Sequence, residues 1–175
     1  MGIKMREKKI DILFAEKVQN LEKTLPELRK GVNCAELTLS NIMDILGIKN
    51  GLLNNAIIPL AGGFGGYKSK EGWQGACGAV CGGCAAIGII LGGKKRMRNK
   101  KIPIAYLKAA KFASEFEKEF GSVICAQLCG YDFSEPNGFI QYQEDKCWST
   151  TCYKYVIWAI KAVQKIMRNQ LRRNW

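Results

Sequence analysis

Eight cysteines, and no histidine, are the residues of this 175-residue chain best suited to carry chemistry. Four of the cysteines lie far apart in sequence, and each is predicted to stand at the start of a helix: Cys34, Cys77, Cys125 and Cys152. The first turn of a helix stabilises a thiolate through its free backbone N–H groups and the positive end of the helix dipole. This shared placement predicts a sulfur-ligated metal site or a redox thiol centre.

Helix-start signals accompany these cysteines. The run Asn33-Cys34-Ala35-Glu36 has the spacing of a capping box. Ser122 lies three residues before Cys125 and is the predicted N-cap of a short helix. Cys152 follows three hydroxyl residues and is expected to open the last helix. Each of these thiols is therefore expected in a first helical turn.

The other cysteines lie close in sequence to the first set: they are Cys81, Cys84, Cys129 and Cys147. Cys81 and Cys84 follow Cys77 at i+4 and i+7, and an α-helix would place all three on one face. Cys129 follows Cys125 by one helical turn. At least one of these surplus thiols is expected to enlarge the site. The alternative, above all for Cys84 and Cys129, is a small buried hydrophobic side chain.

The absence of histidine limits the metal sites and cofactors that this chain can hold. Ligation of haem by imidazole and a mixed Cys/His zinc site are both excluded. The Cys81-Gly-Gly-Cys84 pair is not a c-type haem site, because Ala85 stands where histidine would be required. What remains is all-thiolate chemistry: an iron–sulfur cluster, a four-cysteine zinc site, or exchangeable disulfides, for which Cys81 and Cys84 have a CxxC spacing.

Apolar spacing predicts an all-α, single-domain bundle of about six or seven helices around a buried, glycine-rich central helix. Residues 1–30 are predicted to form an amphipathic N-terminal helical extension. The central segment Gly75–Gly93 is 19 residues long without a charge, close to the length of a membrane span. It contains seven glycines and three cysteines, so a buried helix is favoured over membrane insertion.

Helix-period patterns and stop signals give the boundaries of the other elements. A short helical start is expected at Pro26, ending at Gly31. Residues 61–73 are predicted to form a glycine-rich loop whose glycine pairs allow positive φ and close backbone approach, and residues 131–145 are predicted to be irregular. The remaining helices are predicted over residues 5–24, 34–46, 52–60, 101–120, 125–128 and 151–171.

The net charge of +12 suggests an anionic partner. Six of the eight residues in Lys94–Lys101 are basic, and the last helix adds further lysines and arginines. No nucleic-acid-binding motif or aromatic platform accompanies them, so an acidic redox partner protein is expected rather than nucleic acid. A basic binding module without redox chemistry is an alternative function that rests on this charge alone. No signal peptide is visible, which predicts a cytoplasmic protein with reduced thiols. The sequence does not distinguish a monomer from a homodimer.

Several segments, taken in order, resemble the C-GCAxxG-C-C family of redox-active proteins. They cover about residues 31–167, and we place the family core at 31–171. The segments are Asn33-Cys34-Ala35-Glu36, Gly62-Gly63-Phe64-Gly65-Gly66, Cys77-Gly78-Ala79-Val80-Cys81-Gly82, Phe120-Gly121-Ser122-Val123-Ile124-Cys125, Leu128-Cys129-Gly130-Tyr131-Asp132 and Cys152-Tyr153-Lys154-Tyr155-Val156.

The resemblance implies that Cys34, Cys77, Cys125 and Cys152 are the characteristic cysteines. The family includes the split-Soret cytochromes, whose related domain carries an iron–sulfur cluster, so the resemblance implies a cluster of the 2Fe–2S or 4Fe–4S type here. It also implies electron transfer more than a stand-alone enzyme. Haem binding is not carried over, because this chain lacks CxxCH and histidine. The surplus cysteines leave room for a second or larger cluster.

Overall fold

The structure, a computed structural model, describes residues 3–30 and 32–175. These ranges contain no strand, only isolated bridges that pair Lys68 with Gln74 and Ala76 with Ile124. The all-α prediction is therefore confirmed. Nine helices are present in the described chain: α1 (Ile3–Thr24), α2 (Cys34–Ile45), α3 (Gly51–Ile57), α4 (Gly62–Gly66), α5 (Gly78–Gly92), α6 (Ile102–Phe120), α7 (Cys125–Cys129), α8 (Gly138–Glu144) and α9 (Tyr153–Asn174).

The glycine-rich helix α5 lies at the centre of the bundle and packs against α2, α6 and α9. Its glycines permit the close approach. A β-carbon on Gly82 would lie 2.5 Å from the carbonyl oxygen of Ala35 in α2, and one on Gly83 would run into the ring of Phe112 in α6. The prediction of a buried central helix is confirmed. Within the described residues, no helix combines the length and apolar character needed to cross a membrane.

The long helices at the two ends of the chain, α1 and α9, pack against each other, and α9 also packs against α5 whereas α1 packs against α2. Apolar residues recur at spacings of three and four along α1 and along α9, and both of these stripes are buried. Amphipathic periodicity thus identified the core-facing sides of both helices. The buried residues are Ile10, Phe14, Val18, Leu21 and Leu25 in the first stripe, and Val156, Ile160, Val163, Met167 and Leu171 in the second.

Short elements account for the difference in helix number. Residues 131–145 were expected to be irregular, but they contain α8. The last helix does not begin at Thr151. Instead, a π-helical segment, Trp148–Cys152, leads into α9 without a break. The expected helical start at Pro26 is present as the 3₁₀ turn Leu25–Glu27, whereas its predicted end at Gly31 lies outside the described residues.

The glycine-rich loop contains an unusual turn. In α4, Gly63, Phe64 and Gly65 have φ values of 64°, 60° and 69°, which are left-handed. Glycine adopts such angles without steric penalty, whereas Phe64 does so only because its neighbours enforce the turn. The prediction of positive φ in this segment is confirmed. The turn lies beside the cysteines described next.

Candidate functional site

Cys34 and Cys77 meet where α2 and α5 begin. The side-chain oxygen of Asn33 accepts a hydrogen bond from the Glu36 N–H at 2.9 Å, so the predicted cap of α2 is formed. Cys77 is the N-cap residue of α5 and is buried. The two thiols are hydrogen-bonded to each other. The helix-start prediction therefore holds for both residues, and the two starts face one another.

An isolated β-bridge sets Cys125 beside Cys77. The Cys77 N–H donates to the carbonyl of Val123 at 2.7 Å, and the Cys125 N–H donates to the carbonyl of Gly75 at 3.1 Å. Cys125 opens α7, as predicted, but its N-cap is Ile124 rather than Ser122. The Ser122 hydroxyl instead accepts a hydrogen bond from the Ile124 N–H at 2.9 Å. The bridge, rather than a serine cap, orients this helix start.

The left-handed turn α4 supports the same region. A β-carbon on Gly63 would lie 3.1 Å from both the Cys125 β-carbon and the Gly75 carbonyl oxygen. The backbone N–H groups of Gly62 and Gly78 hydrogen-bond to Cys34 and favour its thiolate. A side chain at position 63 would crowd the bridge, which favours glycine there. The glycine-rich loop therefore acts as a backbone hydrogen-bond donor to a cysteine.

Cys147 and Cys152 lie at the two ends of the π-helical segment. Their sulfur atoms are 3.9 Å apart, because i→i+5 hydrogen bonding brings residues five apart onto one face. The Cys147 thiol also contacts the carbonyl oxygen of Cys129 at 3.6 Å. Cys152 has helical dihedrals and lies at the junction with α9. The expectation that Cys152 stands in a free first turn is therefore wrong, since helical backbone precedes it.

Three thiol pairs share one electrostatic pattern. The hydrogen bond from Cys77 lowers the pKa of Cys34 to about 7, against the effect of burial, and raises the pKa of Cys77 well above its usual value. The hydrogen bond from Cys125 likewise lowers the pKa of Cys129 to about 7 and raises the pKa of Cys125. In the third pair, Cys152 lowers the pKa of Cys147. Each pair thus contains one thiol disposed to ionise and one that donates to it.

Cys81 and Cys84 behave differently. Both lie half-buried on α5 and are free thiols. Burial, with smaller contributions from Cys84 and Cys34, raises the pKa of Cys81 to about 12. Burial alone raises the pKa of Cys84 to about 11. Both therefore stay protonated near neutral pH, which is unfavourable for a thiol–disulfide nucleophile.

Three of the four characteristic cysteines border one cavity of about 680 Å³: Cys34, Cys125 and Cys152. Cys77 reaches the same region through its hydrogen bond with Cys34. A negative charge on Cys34 also raises the pKa values of Cys125 and Cys152. Across residues 3–30 and 32–175, however, no three Cys, Asp or Glu side chains are grouped closely enough to hold a single metal ion. Of the four, only Cys34 and Cys77 pair with each other, whereas Cys125 pairs with Cys129 and Cys152 pairs with Cys147.

The other cavity residues were not predicted from the sequence, because residues 131–145 show no clear helical period. Phe133, Phe139 and Tyr142 form an aromatic wall, with Phe139 and Tyr142 stacked at 6.2 Å between ring centroids. The Tyr142 hydroxyl hydrogen-bonds to Cys152. The signal was available: Asn137-Gly138 followed by aromatic residues three apart is consistent with one face of a short helix.

Comparison with known proteins gives one match. A family model described as "Putative redox-active protein (C_GCAxxG_C_C)" matches residues 32–166, which is more than half of the chain. No curated protein and no solved structure matches.

Proposed function

Because the chain belongs to the C-GCAxxG-C-C family, we propose that it is an electron-transfer protein whose cysteines hold an iron–sulfur cluster. The proposed ligands are Cys34, Cys77, Cys125 and Cys152. The observation that supports the proposal is that Cys34, Cys125 and Cys152, from separate parts of the chain, border one cavity, while Cys77 interacts with Cys34, in a protein without histidine.

The donor set fits a cluster better than a single ion. A single zinc ion requires its four ligands around one point at about 2.3 Å, whereas a cluster distributes its thiolates over several irons. The described thiols form no single-ion group, but Cys34, Cys125 and Cys152 face one cavity. When bound, such a cluster takes up and releases electrons one at a time.

The chain supplies the surroundings that such a centre requires. The backbone N–H groups of Gly62 and Gly78 lower the pKa of Cys34, and the Tyr142 hydroxyl favours the thiolate of Cys152. Hydrogen bonds to ligand sulfurs disperse negative charge and set the reduction potential. The buried position of Cys77 limits access of water to that side of the site.

The surplus cysteines divide into two groups. Cys129 and Cys147 are paired with proposed ligands and are the candidates to enlarge the metal site. Cys81 is in electrostatic contact with Cys34, whereas Cys84 interacts with Cys81 and is otherwise perturbed only by burial. Cys84 is therefore the surplus cysteine with the weakest connection to the site, and it serves as a control.

The test is anaerobic purification with iron and sulfide analysis. We expect a brown protein in which Cys34→Ser and Cys125→Ser each lose most of the iron, while Cys84→Ser retains it. Electron paramagnetic resonance of the reduced protein would identify the cluster type. A colourless protein without iron or sulfide, or a Cys34→Ser variant with unchanged iron content, would overturn the proposal.

A metal-free thiol–disulfide protein is the second candidate. The observation that favours it is the pairing of one low-pKa thiol with one donor thiol, as in Cys34 with Cys77. The CxxC pair of Cys81 and Cys84 is less suitable as a redox pair, because both of its thiols have raised pKa values. Under this candidate, the iron-free protein would cycle reversibly between disulfide and dithiol, and Cys77→Ser would abolish the cycle.

The partner is proposed to be an acidic redox protein, as the net charge of +12 suggests. The basic run at residues 94–101 follows α5, whose 15 residues span roughly 22 Å, so it lies at the far end of that helix from Cys77. Binding that weakens with rising salt would support steering by this surface. Tight, salt-sensitive binding of random nucleic acid would contradict it.

A further inference from the structure

The cavity beside the cysteines is larger than thiol ligation requires. Its volume of about 680 Å³ lies within the range of small-molecule sites, about 300–1,000 Å³. The thiols of Cys34, Cys125 and Cys152 border only part of it. The rest is bordered by side chains that are not proposed ligands, among them the exposed Phe139.

The charged residues around the cavity have one sign. Arg29, Lys30 and Lys146 border it, and no carboxylate does so among the described residues. The Arg29 guanidinium is fixed by hydrogen bonds to the Ser149 hydroxyl at 3.0 Å and to the Pro26 carbonyl at 2.9 Å. It also pairs with exposed Glu27. Since the three cations are exposed, they lie at the opening, where they would attract an anion.

The two lysines are available for a ligand. Neither Lys30 nor Lys146 forms an ion pair with any residue in the ranges 3–30 and 32–175. Lys146 also has a φ of 51°, a left-handed angle that a lysine adopts at a cost of about 1 kcal/mol. Strain of this kind concentrates at functional sites. A glycine would fit this position better, but it would remove the ammonium group from the opening.

The aromatic wall defines the rest of the ligand. Phe133 packs edge-on against Phe139 and Tyr142, at 5.9 and 5.2 Å between ring centroids. Phe139 remains 53 % exposed although it lies beside the cavity. Flat rings around an open space favour a flat, unsaturated body. Together with the cations, they select an anion with a planar apolar part.

We propose that this cavity binds a small unsaturated or aromatic carboxylate. Its carboxylate contacts Lys30 and Lys146 at the opening, and its planar body lies along the aromatic wall toward Cys152. Binding does not require the cluster. The inference rests on the proposed function only in placing this ligand beside an electron-carrying centre, where it would be a substrate or regulator.

The experiment is calorimetric titration of the purified protein with trans-cinnamate, with cinnamyl alcohol as the uncharged analogue. We expect saturable binding of cinnamate and about tenfold weaker binding of the alcohol. The Lys30→Gln/Lys146→Gln variant should bind cinnamate about tenfold more weakly, consistent with two exposed charge contacts of up to about 1 kcal/mol each. The matched control Lys94→Gln/Lys95→Gln makes the same charge change in the remote basic run and should bind within twofold of the parent.

A second variant tests the aromatic wall. Phe139→Ala removes a half-exposed ring and should weaken cinnamate binding while leaving the thermal transition close to that of the parent. Equal binding of cinnamate and the alcohol, unchanged binding by the lysine variant, or no saturable binding at millimolar concentration would overturn the inference. Iron and sulfide are assayed in the same samples. If the protein binds cinnamate but contains no iron or sulfide, the cluster proposal is refuted and this inference stands. If the protein contains iron and sulfide but does not bind cinnamate, this inference is refuted and the cluster proposal stands.

Discussion

Gly78 lies directly against Cys34: a β-carbon at position 78 would overlap the Cys34 sulfur and lie 2.9 Å from the Ala35 nitrogen. The contact joins the first turns of α2 and α5 and sets the distance between two cysteine-bearing helix starts. Neither neighbour can withdraw easily, because Ala35 is fully buried and the Cys34 thiol is hydrogen-bonded to Cys77. This glycine is therefore required by packing against the site rather than by its dihedral angles.

Gly78→Ala should destabilise the protein by about 1–3 kcal/mol, as expected when an extra carbon is forced into a packed interior. Chemical denaturation would measure the loss, and iron content should fall with it. Gly88→Ala is the matched control in the same helix, because a β-carbon there meets nothing within 4 Å. It should stabilise the protein by up to about 1 kcal/mol, the helix propensity of alanine over glycine. Equal effects of the two substitutions would contradict this account.

The parts of the fold that periodicity controls were predictable from the sequence. The apolar stripes of α1 and α9 face the core as expected, since burial of a continuous face requires that spacing. The helix α8 and the π-helical segment were not predicted. The helix α8 has seven residues, and its one sequence signal, two aromatic residues three positions apart, is too short to establish a period. A π-helix has i→i+5 hydrogen bonds in place of i→i+4 bonds, and no local sequence preference predicts where this change occurs.

The site was predictable in its residue types but not in its pairing. The predicted helix starts at Cys34 and Cys125 are correct, although the N-cap of the second helix is Ile124 and not Ser122. The contact of Cys125 with the Cys77 segment depends on a bridge between residues nearly fifty positions apart, which sequence spacing cannot reveal. The same is true of Tyr142, whose hydrogen bond to Cys152 arises from the placement of α8. Ligation of a cluster by these cysteines stays a prediction.

In the metal-free protein, alkylation should distinguish the thiols by pH. Since the pKa of Cys34 is lowered to about 7, its thiolate appears as pH rises through 7 and disappears below it. Cys84, with a pKa of about 11, should react more slowly by orders of magnitude at pH 7. Mass spectrometry after timed treatment with iodoacetamide would give the rate at each cysteine.

The cause of the lowered pKa can be tested in the same assay. Cys77→Ala removes the thiol that donates to Cys34 and should move the half-maximal rate of Cys34 alkylation to higher pH. Cys84→Ala removes a thiol without such a contact and should leave that midpoint unchanged. If the pH midpoint of Cys34 alkylation is the same in Cys77→Ala as in the parent protein, the backbone N–H groups, and not the thiol pair, stabilise the thiolate.

Tyr142→Phe should lower the reduction potential of the iron-loaded protein by roughly 20–60 mV. The lost hydrogen bond to Cys152 stabilises the more negative, reduced state, and one such bond is worth about 1 kcal/mol. Potentiometric titration would measure the change. Tyr131→Phe removes a hydroxyl that donates to the Asp145 carboxylate at 2.6 Å rather than to a sulfur. It should leave the potential within a few millivolts, and a similar shift in both variants would exclude a specific role for Tyr142.

Lys146→Gly should raise the free energy of unfolding of the protein and lower the affinity of the cavity for cinnamate. The lysine follows α8 in a left-handed conformation that glycine adopts freely, so relief of strain should add about 1 kcal/mol to the free energy of unfolding. Lys118→Gly, the same substitution on the exposed side of α6, should remove about 1 kcal/mol, because glycine is unfavourable within a helix. Urea denaturation would give both values. Cinnamate affinity should fall several-fold for Lys146→Gly and stay constant for Lys118→Gly. A destabilised Lys146→Gly variant would mean that the lysine side chain holds the turn after α8 in place, and its strained backbone would then need no ligand to explain it.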